Sequence, residues 1–319
     1  MKITKLFHWN QAFLSFNRRK LCSIQCEQKY VFVPQSYKPK DDDIDRLSEF
    51  INNHRRLFIL TGAGMSTESG IRDYRSHGVG LYATSDQRPI QYSEFIKNPR
   101  KRNIYWARNF VAWPTFSSFQ PNICHKFVVD MELYGNLHWL VTQNVDSLHK
   151  KAGSKKITEL HGTTARVACL NCDYEIGRHA LQETLSSLNS DWLCHKTESQ
   201  GPDGDVIVPD KVADTFKMID CPLCGGVLKP KVVFFGDNVS MYVKNFLFKK
   251  LNESDAMLVI GSSLQVFSSF RFVLGAKDRN IPIAILNIGE TRGDKIAQLK
   301  ISNVMAGDIL PRLKVYWNS

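Results

Sequence analysis

The sequence contains no stretch of about 18 uncharged apolar residues, which is the length that a membrane-spanning helix needs. It also lacks internal repeats and low-complexity tracts, which argues against fibrous and mainly disordered chains. With 43% hydrophobic and 23% charged residues among 319, its composition is typical of a globular protein with one large core or two domains. We therefore expect no membrane partner.

Acidic residues are absent from positions 1–26, which carry five Lys or Arg side chains and apolar residues at roughly helical spacing. This pattern predicts a mitochondrial transit peptide over residues 1–30 and a location in the mitochondrial matrix. A disordered basic tail is the alternative. Removal of the five charges lowers the formal net charge from +11 to +6, and we expect no nucleic-acid partner.

Five apolar runs resemble strands buried on both faces, and most are separated by helix-length segments. They cover residues 57–60, 137–142, 232–235, 256–260 and 281–287. Several end in Gly, Ser or Asn loops. This arrangement predicts an α/β fold, a Rossmann-like doubly wound parallel sheet with its ligand along the carboxyl edge.

The predicted domains follow from where this pattern is interrupted. Residues 31–165 are predicted to form the first part of the Rossmann-like domain. This part begins with a proline-containing linker at 31–45 and includes an aromatic and basic helical cap at 76–130. Residues 166–229 form a smaller inserted module, and residues 230–315 complete the main domain.

Four of the eight cysteines form two C-x-x-C pairs, which predict metal binding because the chain shows no secretory signal. The predicted ligands of one closed, structural zinc site are Cys169, Cys172, Cys221 and Cys224. The 48 residues between the pairs exceed the spacing of common zinc ribbons, so we expect an inserted loop here. Its polar part, 194–211, is predicted to be exposed.

Four short motifs carry groups suited to a dinucleotide. The Gly-rich turn 61–66 follows the first strand, but Thr67 replaces the third glycine of the usual fingerprint, so a simple tight turn is the alternative. Residues 68–75 and 142–149 supply charged and carboxamide groups. His161 is the fourth; a lone histidine is usually structural, although its pKa of about 6.5 suits a general base.

Taken in order, GAGMS, GIRDYR, TQNVDSLH, HG, the two C-x-x-C pairs, VVFFGD, GSSLQV and NIG resemble the sirtuin family of NAD-dependent protein deacylases. The resemblance covers about residues 45–310. It implies that NAD is a co-substrate, that zinc is structural, and that the acyl group of a protein lysine passes to ADP-ribose while nicotinamide leaves. His161 would then deprotonate a ribose hydroxyl.

The resemblance also implies roles for individual residues. Catalytic roles fall to His161 and Asn144. The implied cofactor-binding residues are Gly62, Ala63, Gly64, Ser66, Asp73, Tyr74, Arg75, Gln143, Asn144, Val145, Asp146, Gly261, Ser262, Ser263, Asn287, Ile288 and Gly289. Val233, Phe235 and Gly236 would bind the acyl-lysine peptide by strand addition.

Four positions qualify these expectations. Arg72 stands where the family usually has proline, so we expect a more mobile nicotinamide loop and slower turnover. Asp237 replaces the usual glutamate. Tyr105 and Arg108 could bind an acidic acyl group as an i, i+3 pair, or could form an exposed basic helix face.

Two other functions remain open at this stage. A protein mono-ADP-ribosyltransferase would use the same chemistry, and a weakly catalytic NAD-sensing protein would bind acylated partners. For the deacylase, we expect acyl-lysine proteins as substrates, mitochondrial metabolic enzymes among them. Long, branched and lipoyl-type acyl groups are all candidates.

Overall fold

The structure is a computed structural model, and it describes residues 31–86, 88–193 and 201–316. The predicted transit peptide and residues 194–200 lie outside these ranges. Its helices are α1 (Asp41–Asn52), α2 (Leu81–Thr84), α3 (Tyr92–Lys97), α4 (Pro99–Ser118), α5 (Ile123–Leu133), α6 (Leu148–Ala152), α7 (Arg178–Leu188), α8 (Asp210–Ala213), α9 (Met241–Asn252), α10 (Phe267–Asp278) and α11 (Ala306–Ile309). Its strands are β1 (Leu57–Thr61), β2 (Leu137–Thr142), β3 (Ile157–Glu159), β4 (Gly162–Cys169), β5 (Glu175–Gly177), β6 (Leu228–Val232), β7 (Ala256–Ile260), β8 (Ile283–Asn287) and β9 (Leu299–Ser302).

Six strands form a parallel sheet in the order β3-β2-β1-β7-β8-β9. The strand order reverses between β1 and β7, which is where a doubly wound sheet opens a ligand cleft at its carboxyl edge. The predicted fold class is confirmed. The prediction of a strand over 232–235 is wrong, because β6 ends at Val232 and belongs to a small antiparallel sheet with β4 and β5.

The parallel sheet is covered on both faces. Successive side chains along each strand point to opposite faces, so both sets of side chains are buried. Leu57 and Ile59 pack into one core with residues of α1 and α5. Phe58 and Leu60 pack into the other core with residues of α9 and α10. Unbroken apolar runs are therefore what these central strands require. Although α5 begins within the segment predicted as cap, it packs on the sheet.

A third core joins the cap to the small antiparallel sheet. Helix α4 contributes Trp106 and Phe110, and the antiparallel strands contribute Val167 and Leu228. The expectation of an exposed loop is wrong for Val206 and Val208, which are buried in this core, and holds for Ile207 and residues 209–211, which are exposed. Burial in an apolar environment stabilises both valine side chains relative to exposure in a solvated loop. Across the described ranges, no helix combines the length and apolarity needed to cross a bilayer.

Candidate active site

A cleft of about 960 Å³ lies at the carboxyl ends of β1, β2, β7 and β8. Every residue that the sequence singled out for catalysis, cofactor or peptide lines it, so segments more than 200 positions apart meet in one place. These residues are Gly62, Ala63, Gly64, Ser66, Asp73, Tyr74, Arg75, Gln143, Asn144, Val145, Asp146, His161, Val233, Phe235, Gly236, Gly261, Ser262, Ser263, Asn287, Ile288 and Gly289.

Two glycine loops form the floor of the cleft. A Cβ atom on Gly62 would lie 2.8 Å from the carbonyl oxygen of Gly261, and one on Gly64 would lie 2.9 Å from its Cα. Gly261 itself has a φ of 62°. Glycine is needed here because the loops after β1 and β7 touch through their backbones, and this contact keeps the floor low enough for a ligand to approach.

Polar side chains of the loops after β1 and β2 orient one another. Ser66 Oγ donates to Asp146 Oδ2 at 2.7 Å, and Asn144 Nδ2 donates to Ser66 Oγ at 3.0 Å. Asp146 also accepts from the backbone N–H of Leu148 at 2.8 Å. Burial raises the pKa of Asp146, whereas these two hydrogen bonds act in the opposite direction. The network fixes the carboxylate against one wall of the cleft.

The loop of residues 70–76 is held by Asp73. Its carboxylate accepts from the backbone N–H groups of Arg75 at 2.9 Å and Ser76 at 2.7 Å, and also from the Ser76 hydroxyl. Arg75 instead lies over the ring of Tyr82, 5.6 Å from its centroid. Asp73 therefore shapes this loop through short-range bonds, in addition to lining the cleft.

His161 presents one ring nitrogen for proton transfer. Its Nδ1 lies 3.0 Å from the carbonyl oxygen of Gln143, which can only accept, so Nδ1 carries the hydrogen. Nε2 is then the lone-pair nitrogen, and it accepts from Ser268 Oγ at 2.8 Å. Desolvation by the surrounding protein lowers the pKa of His161 below its ordinary value, so the neutral base persists at neutral pH.

Residues 233–236 run along the opposite side of the cleft without a strand partner. The Val233 N–H donates to the carbonyl oxygen of His161 at 2.8 Å, and the Phe235 carbonyl accepts from the Tyr92 N–H at 2.9 Å. Phe235 meets Tyr74 edge-on at 5.7 Å. This segment, which turns at residues 235–236, is therefore held at both ends and lies next to His161 in the chain packing.

The inserted loop reaches the cleft, which the sequence reasoning missed. Pro202, Asp203 and Asp205 line it, and the Tyr74 hydroxyl donates to the Asp203 carboxylate. Burial raises the pKa of Asp203, and burial together with this carboxylate raises that of Tyr74. The Gly-Pro-Asp-Gly-Asp run is typical of a turn, and nothing local in it indicates that the turn folds back onto a distant cleft.

Tyr105 and Arg108 have different environments although they lie one turn apart on α4. Tyr105 lines the cleft, where its ring lies 5.1 Å from that of Phe234. The Arg108 guanidinium lies 3.7 Å from carboxylate oxygens of both Asp205 and Asp210. With only 15% of its side chain exposed, Arg108 does not form the exposed basic face that was one alternative.

A protein-family model described as the Sir2 family matches residues 62–268. The chain belongs to the Sir2 family. It is 47% identical to the bovine NAD-dependent protein lipoamidase sirtuin-4, mitochondrial, over 97% of this chain and 96% of that one. It is 50% identical to the human protein of the same name over 88% and 89%, and 46% identical to the Drosophila melanogaster NAD-dependent protein deacylase Sirt4 over 96% and 97%.

Solved Sir2 structures have the same fold. One is a mutant in complex with a deacetylated p53 peptide and 3'-O-acetyl ADP-ribose, with a TM-score of 0.67 and 27% identity over 84% of this chain and 95% of that chain. Another is a Sir2–p53 peptide–NAD⁺ complex, with a TM-score of 0.63 and 26% identity over 84% and 96%. These similarities confirm both the family and the predicted architecture.

The four paired cysteines of this Sir2 protein fit a structural zinc ion. Their sulfur atoms all lie within 4.8 Å of one another. Cys169 and Cys224 are 3.5 Å apart, and Cys172 and Cys221 are 3.6 Å apart. A tetrahedral ion with Zn–S bonds of about 2.3 Å requires sulfur separations of about 3.8 Å. Because four thiolates fill the coordination sphere, the ion would brace the small sheet and take no part in catalysis.

The cleft also fits NAD. The glycine floor lets a pyrophosphate approach the backbone closely. The network of Ser66, Asn144 and Asp146 offers oriented donors and acceptors. Gln143 Nε2 donates to Ser262 Oγ at 2.8 Å and so joins the two loops. When bound, NAD supplies a cationic nicotinamide leaving group, and the protein supplies position, exclusion of water and one base.

Proposed function

We propose that this chain is an NAD-dependent protein-lysine deacylase in which His161 is the general base. The observation that carries the proposal is the position of His161 Nε2. His161 and its Nε2 partner Ser268 both line the cleft, and the His161 backbone is bonded to Val233 of the segment 233–236. Family membership and the deacylase and lipoamidase names of the relatives support the same activity over the two alternatives.

The residues divide the work. Gly62, Gly64 and Ser66 would hold the dinucleotide, and Asp146 would accept from an amide N–H at the inner end. Asn144, oriented by its bond to Ser66, would position a hydroxyl group or a water molecule. His161 would take a proton on Nε2 and keep its ring fixed through the Gln143 carbonyl. Neutral imidazole is the form that this step requires.

Residues 233–236 would receive the substrate peptide. Val233 and Phe234 have no strand partner and are followed by a turn at 235–236, so their unused backbone groups can pair with a peptide by strand addition. Val233 and Phe235 would then flank the acyl-lysine side chain. The tether from Val233 to His161 keeps the docked lysine close to the base.

A neutral, extended acyl group of the lipoyl type suits this cleft better than an acidic one. Arg108 is already engaged by two carboxylates, and Asp203 and Asp205 would repel a second negative charge. The wall formed by Tyr105 and Phe234 is aromatic, and sulfur atoms make favourable contacts with aromatic rings. The lipoamidase names of the bovine and human relatives agree with this choice.

We further propose that the chain acts in the mitochondrial matrix on acylated metabolic enzymes. The relatives from cattle and man are named mitochondrial, which supports the organelle. The acid-free basic segment 1–30 supports cleavage of a transit peptide on import. Fractionation of mitochondria expressing the chain, followed by N-terminal sequencing, would test both.

The decisive test incubates the purified chain with NAD and peptides that carry lipoyl-, acetyl- or succinyl-lysine. We expect free nicotinamide, O-acyl-ADP-ribose and unmodified lysine, with lipoyl-lysine faster than succinyl-lysine. His161→Ala should abolish turnover and still bind NAD, while His54→Ala, outside the cleft, should behave like the wild type. Labelled protein without deacylated peptide would instead identify an ADP-ribosyltransferase. Near-normal turnover by His161→Ala would refute the role of the base.

A further inference from the structure

The segment before α1 does not behave as the linker that the sequence predicted for 31–45. Val33, Pro34 and Gln35 line the same cleft as the glycine floor. We call residues 32–37 the N-terminal strap. It lies outside the residues that the family model matches, 62–268.

One end of the strap is anchored beside the predicted adenosine-binding residues. The Tyr37 N–H donates to the Asn303 carbonyl at 2.7 Å, and Tyr37 pairs in parallel with Val304 as an isolated bridge. Asn303 and Val304 also line the cleft, and the Asn303 N–H donates to the carbonyl of Ile288 at 3.0 Å. The strap therefore contacts the segment after β9, which is itself bonded to the loop after β8.

The other end is anchored on the predicted nicotinamide loop. The Arg72 guanidinium lies 4.8 Å from the centroid of the Phe32 ring. Arg72 Nη1 also donates to Thr84 Oγ1 at 3.1 Å. On either side of Arg72, Ile71 and Asp73 line the cleft. Arg72 thus joins the loop to both the strap and α2, contacts that a proline at this position could not make.

The strap is short, and its backbone bends at Val33 and Gln35 where it lines the cleft. Five residue steps separate Phe32 from Tyr37, and an extended chain of that length spans up to about 17 Å. Pro34 fixes its own φ and restricts the conformation of Val33. A segment restricted in this way loses less conformational entropy when it is held at the cleft than a flexible linker would.

We propose that the N-terminal strap is a cofactor clamp, which retains NAD in the cleft through the Phe32–Arg72 contact at one end and the Tyr37–Asn303 contact at the other. The proposal rests on the proposed function for the identity of the ligand. On this view Arg72 is a positioning residue, since it acts through the strap and the loop rather than on reacting atoms. It replaces the expectation that Arg72 merely loosens the loop.

The test measures NAD binding and release by the full chain without turnover. Phe32→Ala and Arg72→Met should each raise the Kd for NAD by about threefold to tenfold, mainly through faster dissociation measured by stopped flow. Both variants remove the contact between Phe32 and Arg72. The double variant should therefore bind NAD no more weakly than the single variant with the higher Kd. Val31→Ala, next to the strap and 57% exposed, should match the wild type.

A positioning role also predicts which kinetic constant moves. KM for NAD should rise in Phe32→Ala and Arg72→Met, while kcat at saturating NAD and KM for the acyl peptide stay within about twofold of the wild type. Unchanged NAD dissociation in both variants, fully additive effects in the double variant, or a wild type that does not bind NAD would each overturn the clamp. Because binding is measured directly, NAD binding that responds to the strap without any deacylation would refute the proposed activity and leave the clamp supported.

Discussion

Replacement of Ser268 by alanine tests how the base is prepared. Ser268 lies in the first turn of α10, and its hydroxyl donates to His161 Nε2 at 2.8 Å. In the neutral ring this bond engages the Nε2 lone pair, and the hydroxyl must turn round before it can accept from a protonated Nε2, so it favours the neutral form beside the burial that lowers the pKa. We expect Ser268→Ala to raise the pKa of His161.

The magnitude follows from the hydrogen bond that is lost. Such a bond is worth about 0.5–1.5 kcal/mol, which corresponds to a factor of about 2 to 12 in the proton affinity of the ring. The base works without its proton, so a higher pKa lowers kcat/KM on the acid side. At acidic pH, where His161 is mostly protonated, we expect the rate of Ser268→Ala to fall by that factor. Above pH 8 the variant and the wild type should agree.

The assay is the pH profile of kcat/KM for NAD at saturating peptide, together with an NMR titration of His161 in the free protein. Ser268→Thr is the matched control, because it keeps a hydroxyl at the same place. Its profile should follow the wild type. The reasoning is refuted if the Ser268→Ala profile and the His161 titration both coincide with those of the wild type.

Two further predictions concern stability. Burial lowers the pKa of His125 to about 3, so the unfolded chain binds its proton first as pH falls, and stability is lost below about pH 6.5. Below that pH, the unfolding free energy of His125→Gln, measured in urea, should therefore fall less steeply than that of the wild type, by up to about 1.4 kcal/mol per pH unit. Equal slopes of unfolding free energy against pH would contradict this account. Cys221→Ser should abolish zinc binding, measured by metal analysis, and lower the unfolding free energy by about 3 kcal/mol or more, whereas Cys124→Ala should retain the metal. A stable, metal-free Cys221→Ser protein would exclude structural zinc.

Local patterns explain why much of the sheet could be predicted. Residues 57–60 and Ala256–Ile260 are continuous apolar runs because they are buried on both faces, and each run shows this requirement by itself. Val232–Phe235 shows the limit of the same argument. It is equally apolar, yet Phe234 packs against Phe95 and Tyr105 of the cap, and the backbone leaves its strand after Val232.

The residues of the candidate site and of the zinc cluster also include some that local patterns predicted and some that they did not. Cysteine spacing predicted the four thiolates that the fold brings together, because each C-x-x-C pair already fixes two ligands. The motif residues carry the chemistry of a dinucleotide site, so their presence could be read in order along the chain. Arg108 was ambiguous because its partners, Asp205 and Asp210, lie in an insertion about a hundred positions away.

The sequence by itself determined four of the six strands of the parallel sheet, the zinc ligands and the motif residues that line the cleft, because these depend on residue type and short spacing. Only the tertiary structure decided that Asp203 and Asp205 enter the cleft, that Phe32 reaches Arg72, and that Ser268 meets His161. Each of these contacts joins segments 40 to 130 positions apart. Such contacts depend on the path of the whole chain over the sheet, which no local pattern encodes.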